Sequence, residues 1–186
     1  FGGRYNWLVV LGVFGVVSWI ADYWASHATS KALQYVGLGL YVIAEALIFL
    51  PLLAVAQEFA ASKLATEGKE IHIIRDSAFL TLAVFGALTA SVFFSKKDFS
   101  FLRGALAIAS GVALVVIVVS ILFGFQLGLL FCCAMLILCA GYVLYYTSQV
   151  FAHYHTEQYV AAALALFSSI ALMFWYVIQL MMKLRE

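Results

Sequence analysis

The chain has 186 residues, of which 66% are hydrophobic and only 10% charged, with a formal net charge of +1. A soluble domain of this length carries roughly 25% charged residues to keep its surface wet, so a water-solvated fold is excluded. The near-neutral balance leaves no nucleic-acid footprint and no polybasic tail. Apolar residues come in long unbroken runs rather than amphipathic stripes, so lipid is the solvent they face. No segment alternates with period two, which excludes a transmembrane barrel. The expected fold class is therefore all-α, a polytopic transmembrane bundle in a single domain over residues 1–186.

About 20 apolar residues at 1.5 Å rise cross a bilayer. The first span is expected over about 7–26, with Trp19, Tyr23 and Trp24 as an interfacial aromatic belt at its end. The second covers about 33–57, mildly broken by Pro51. A polar stretch, Glu58 to Asp76, carries mixed charges and is expected outside the membrane, with room for one short helix. The third span is about 77–95, and the tight turn Lys96 to Ser100 leads to the fourth, about 101–123. Gly124 makes the next turn, the fifth span runs over about 125–146, and Thr147 to Gln158 connects it to the sixth, about 159–182.

Two ionisable groups fall at membrane depth, where most scales put their cost at several kcal/mol. Asp22 lies near the end of the first span among aromatics and reads as an interfacial carboxylate reaching water. Glu45 lies midway along the second and leaves two readings open. It is a proton or cation site, or a neutral carboxyl hydrogen-bonded inside the bundle. Helical phase predicts the faces turned to other helices. In the sixth span these are Gln158, Ala162, Ala165, Ser169, Tyr176 and Gln179; in the fifth, Gly128, Cys132, Met135, Cys139, Tyr142 and Tyr146; in the first, Gly15, Ser18, Asp22 and Ser26. Small residues let helices approach closely in lipid, and Gly124-xxx-Gly128 is a further contact signal.

Chemistry-bearing patterns are otherwise missing. Cys132, Cys133 and Cys139 all lie in one apolar run and read as small packing residues. His153, His155 and Glu157 cluster in the last connection, but two histidines two apart do not share a helical face, so a solvated loop is expected. There is no Gly-x-Ser-x-Gly, no Gly-x-Gly-Asp and no His-Glu-x-x-His. No cofactor and no metal is implied, and a non-enzymatic role is expected.

Two stretches resemble a known family. Phe94-Ser95-Lys96-Lys97-Asp98-Phe99-Ser100-Phe101-Leu102 is similar to the Lys/Arg-Asp-x-Ser-Phe-Leu turn between spans four and five of the Bax inhibitor family, closest to its bacterial YccA-like branch. Tyr145 to Val150, Thr156 to Val160 and Ala163 to Ser169 resemble its last two spans. The resemblance runs over residues 77–186, while the first 76 match only in hydropathy. It implies seven spans, the six here being the second to seventh, and a first span lying before Phe1. It also implies that Lys96, Lys97 and the 147–158 connection are cytoplasmic. The basic residues, six at one end against four at the other, are too even to decide this by charge.

The family's calcium leak uses a pair of aspartates on the last two spans, latched by an arginine. Carried over, the pair falls at Tyr146 and Ser169, and no arginine lies within a span. Without carboxylates a hard divalent cation finds no charged oxygen ligand there. The YccA-like branch is associated with the membrane-anchored protease FtsH. The expected function is thus binding to another membrane protein, an FtsH-type protease or a larger complex, in a bacterial inner membrane. The competing expectation is a pH-sensitive calcium or proton leak through Glu45. Tyr146 and Ser169 are expected to meet inside the bundle.

Overall fold

Backbone N–H and C=O groups find no water in hydrocarbon, and the chain satisfies them within α-helices. The computed structural model describes residues 4–27, 30–68, 70–95, 97–152 and 159–185. Its helices are α1 (Arg4–His27), α2 (Lys31–Glu67), α3 (Ile73–Ser95), α4 (Leu102–Phe123), α5 (Leu129–Ala152) and α6 (Tyr159–Lys183), with no strand among the described residues. α2 to α6 are each long and apolar enough to cross a bilayer. Lys96 and the 153–158 segment with His153, His155, Glu157 and Gln158 lie outside the described residues.

Two boundaries differ from the hydropathy reading. The stretch Glu58 to Glu67 is no separate segment, because α2 runs through it for 37 residues in all, and Pro51 lies inside the helix. At 1.5 Å per residue that is roughly 55 Å, well beyond the hydrocarbon layer. Hydropathy registers the polarity of this stretch but not its helix propensity. Once the span has nucleated the helix, extending it through Ala60, Ala61, Lys63, Leu64 and Ala65 costs little. Lys63 pairs with Glu67 at 2.8 Å across one turn. The helix stops at Gly68, whose φ of 65° places it in the left-handed region and lets its N–H reach the Leu64 carbonyl.

The fifth span is shifted in the same way. Gly124 (φ 77°) caps α4 through its N–H to the Ser120 carbonyl, and Phe125 to Gly128 reverse the chain before α5 begins at Leu129. At the far end Thr147 to Ala152, expected as connection, are helical. Thr147 and Ser148 are buried, so polarity there marks an interior face rather than a loop. The Gly124-xxx-Gly128 contact does not form. Gly124 is a cap, and Gly128 stands before the helix with open space where a side chain would be. The close approach is at Gly141, where an added Cβ would sit 2.8 Å from Leu106 Cδ2 on α4.

α6 packs against α1, α2, α3 and α5. The predicted residues Ala162, Ser169 and Tyr176 are buried, and a second row, Leu164, Ala171 and Ile178, is buried as well. Two buried faces make α6 the central helix. On α5, Cys132, Met135 and Cys139 pack with Leu106 and Ala113 of α4 and with Met173, Tyr176 and Val177 of α6. Leu52 and Ala56 of α2, Ile73 of α3 and Ile178 of α6 form a second cluster. α1 departs from its predicted face, since Gly15 and Asp22 are exposed and Ala21 is buried. Asp22 is one step out of phase with the packed face.

Candidate functional site

Glu45 sits at mid-helix in α2 with 8% of its surface exposed, and its Oε2 has no hydrogen-bond partner. An orphaned carboxylate oxygen in a bundle interior costs more than a lost hydrogen bond and needs a reason. Glu45 lines a cavity of about 410 Å³ together with Phe14 of α1, Ser120 of α4, Phe131 of α5, and Trp175, Tyr176 and Gln179 of α6. The cavity lies toward the end of the bundle where α4 turns into α5 and where α6 finishes. Its walls are mainly apolar and aromatic, with Glu45 as its acidic group.

On the other side of Glu45 the polarity continues. Tyr41, one turn earlier on α2, interacts with Glu45 and with Ser168 of α6, and it lies within electrostatic reach of Tyr146 on α5. Tyr146 stacks on Tyr142 with ring centroids 5.6 Å apart, and the Tyr142 hydroxyl is 2.7 Å from that of Ser110 on α4. Gln179, Tyr176, Glu45, Tyr41, Ser168 and Tyr146 therefore form an interrupted polar line along the bundle. Tyr41 was not singled out in the sequence. The available signal was its place four residues before Glu45, which puts both on one helical face. Ser169 donates its hydroxyl to Ala165 O at 2.8 Å within its own helix, and so does Ser168, at 2.9 Å. The residue on α6 that interacts with Tyr41 is its neighbour Ser168.

Beyond Tyr146, a tight turn closes that end of the bundle. Asp98 Oδ1 accepts the Ser100 N–H at 2.8 Å and also the Ser100 hydroxyl, which folds Lys97 to Phe101 into a side-chain-capped turn. The Phe99 N–H donates to Ser148 Oγ at 3.2 Å, and Gln149 Nε2 donates to Ser100 Oγ at 2.6 Å. The two stretches that carry the family resemblance, some fifty positions apart, are thus hydrogen-bonded to each other. Replacing Ser148 by Ala and Gln149 by Leu together is expected to lower stability by about 1–3 kcal/mol, the sum of two ordinary hydrogen bonds. Titration of the purified protein with denaturing detergent measures it, and an unchanged midpoint would show the turn to be held by other contacts.

Residues 3–186 match the family model described as inhibitor of apoptosis-promoting Bax1. The chain belongs to the Bax inhibitor family. The match covers the first 76 residues too, where the sequence showed only hydropathy, so the likeness extends through α1, α2 and the start of α3. No curated protein and no solved structure matches the chain. As a Bax inhibitor family protein with these apolar helices, it is an integral membrane protein.

Tyr146 and Ser169 are the positions to which the resemblance carries the family's carboxylate pair. Tyr146 is half-buried against Tyr142 and Tyr145, and Ser169 is buried with its hydroxyl turned to its own backbone. Among the described residues no group of three His, Cys, Asp or Glu gathers to hold a metal ion. Among the described residues, the buried carboxylate is Glu45 on α2. At the opposite end from the Lys97 turn, Asp76 pairs with Arg75 at 3.2 Å and with Arg185 at 3.3 Å, joining the start of α3 to the end of α6. These pairs are partly exposed, and such pairs contribute at most about 1 kcal/mol.

Proposed function

We propose that this Bax inhibitor family protein is a non-enzymatic leak path for protons or calcium, with Glu45 as the group that receives the ion. The observation carrying this reading is Glu45, buried with an unpartnered Oε2, among the residues that line a 410 Å³ cavity, with Tyr41 one turn away. A cation crossing hydrocarbon needs a fixed counter-charge and polar groups to replace its water. Glu45 supplies the first, and Tyr41, Ser168, Tyr176 and Gln179 supply hydroxyl and amide oxygens at intervals. In this reading the Lys97 turn faces the cytoplasm and the cavity faces the other side. Reconstitution into liposomes holding a calcium or pH dye tests it. Glu45→Gln is expected to bring flux down to that of empty liposomes at every pH tried. Flux equal to the parent protein would make Glu45 a structural group.

A second reading is favoured by a separate feature. Gly104, Ala107 and Gly111 share one face of α4, and all three are exposed. Small residues on a lipid-facing helix let a second helix approach. Here the protein acts by binding another membrane protein, of which an FtsH-type protease in a bacterial inner membrane is the form suggested by a YccA-like relationship. Gly111→Leu is expected to abolish co-purification of that partner from mild detergent while leaving the isolated protein's stability intact. Recovery of the parent as a lone protein under every mild condition would count against this reading.

A further inference from the structure

The Glu45 cavity adjoins a second, lipid-facing space. A separate groove of about 420 Å³ lies between α1 and α2, lined by aliphatic residues such as Val13, Ile43 and Leu47 that are about 60% exposed and so face acyl chains. Phe14 and Ile48 belong to both spaces. They border the bilayer-facing groove on one side and the cavity that holds Glu45 on the other. Each is only partly buried, and a rotamer change at either joins the two volumes.

The chemistry of the cavity is selective. Its volume is within the range that drug-sized molecules fill, and its lining is apolar apart from a few polar groups. Phe14, Phe131, Trp175 and Tyr176 present aromatic surface around a carboxylate whose Oε2 is unpartnered. Aromatic faces and one acidic group together recognise an organic ammonium, by cation–π attraction and by a charge-assisted hydrogen bond. We propose that the cavity binds a lipophilic amine that enters sideways from the membrane between α1 and α2. Its aromatic or alkyl body fills the space beside Trp175, and its nitrogen pairs with Glu45. A neutral amine meeting the protonated carboxyl takes that proton and forms the same ion pair as an ammonium meeting the carboxylate, so the filled site is neutral in either case. The inference rests on the cavity alone and holds whether or not ions cross the bundle.

Binding of a tritiated diphenylalkyl dimethylamine to the intact protein in lipid nanodiscs tests it, with empty nanodiscs as the measure of partition into lipid. The comparison compound is the carbon isostere in which CH replaces the nitrogen. Saturable binding of the amine is expected, with the isostere weaker by about thirtyfold or more, as loss of a buried ion-pair partner implies. Glu45→Gln should lower amine affinity by a similar factor and leave the isostere unaffected. Ile48→Trp, which adds bulk where the two spaces adjoin, should slow association. Equal binding of amine and isostere to the parent protein overturns the proposal, as does uptake no greater than that of empty nanodiscs; both are read without any variant and without any flux. An association rate unchanged in Ile48→Trp overturns the lateral route.

Discussion

Gly141→Leu is expected to be the most damaging single substitution in the helix interior, at about 1–3 kcal/mol or somewhat more, the usual range for overpacking a fitted core. α4 and α5 approach most closely here, and even a methyl group at Gly141 would sit 2.8 Å from Leu106 Cδ2. Leu106 is itself 6% exposed and part of the cluster with Cys139 and Val143, so it has little room to withdraw. Alanine is a milder test. The helix gains about 1 kcal/mol when glycine is replaced by alanine, which offsets part of the contact with Leu106, so Gly141→Ala should cost clearly less than Gly141→Leu. Gly111→Leu on the open face of α4 is the control, since an added side chain there meets nothing within 4 Å. Unfolding in graded denaturing detergent ranks the three. If Gly141→Leu unfolds at the same midpoint as Gly111→Leu, the close approach of α4 and α5 is not a stability determinant.

The second large effect is expected from placing acidic groups at Tyr146 and Ser169, the positions to which the resemblance carries the family's carboxylate pair. Tyr146→Asp with Ser169→Asp replaces a half-buried phenol and a buried hydroxyl by two carboxylates on helices that pack directly together. Two like charges in a low-dielectric interior repel and lose hydration, so the double variant should be less stable than the parent in a calcium chelator. Calcium should restore that stability if both oxygens can reach one ion, by about 2.7 kcal/mol at a calcium concentration a hundred times the dissociation constant. The parent should show no such rescue, because a serine bonded to Ala165 O and a stacked tyrosine offer no charged ligand. The measurement is the thermal midpoint with and without calcium. A double variant that is folded and indifferent to calcium would mean that the two positions do not converge in this protein.

Lipid burial was legible in the sequence because it depends on composition and run length, which are local properties. The runs of Val, Leu, Ile and Phe place α3, α4 and α6 within a few residues of their ends, and helical phase marks Cys132, Met135, Cys139, Ala162, Ser169 and Tyr176 as interior. Helix ends were less legible where propensity and polarity disagree. The Glu58 to Glu67 extension of α2 and the Thr147 to Ala152 end of α5 are polar and helical at once. Hydropathy sees only the first property. The face of α1 was misjudged because a row of small residues looks alike whether it meets a helix or lipid. Only neighbours tell them apart, and they leave Gly15 bare and bury Ala21.

Glu45 stood out in the sequence as a carboxylate at membrane depth, yet both readings of it were open. Its meaning depends on what α1, α4, α5 and α6 bring to it. Tertiary packing decided that it borders a cavity, that Tyr41 lies one turn away towards Ser168, and that Phe14 and Ile48 line both the cavity and the lipid groove. Packing likewise turned two weak motifs into one structure, with Asp98 shaping the turn and Ser148 and Gln149 holding it. A sequence specifies which residues are apolar and which share a helical face. The distance between side chains on different helices follows from the joint packing of all of them, and that packing is where Gly141, Leu106 and the Glu45 cavity were determined.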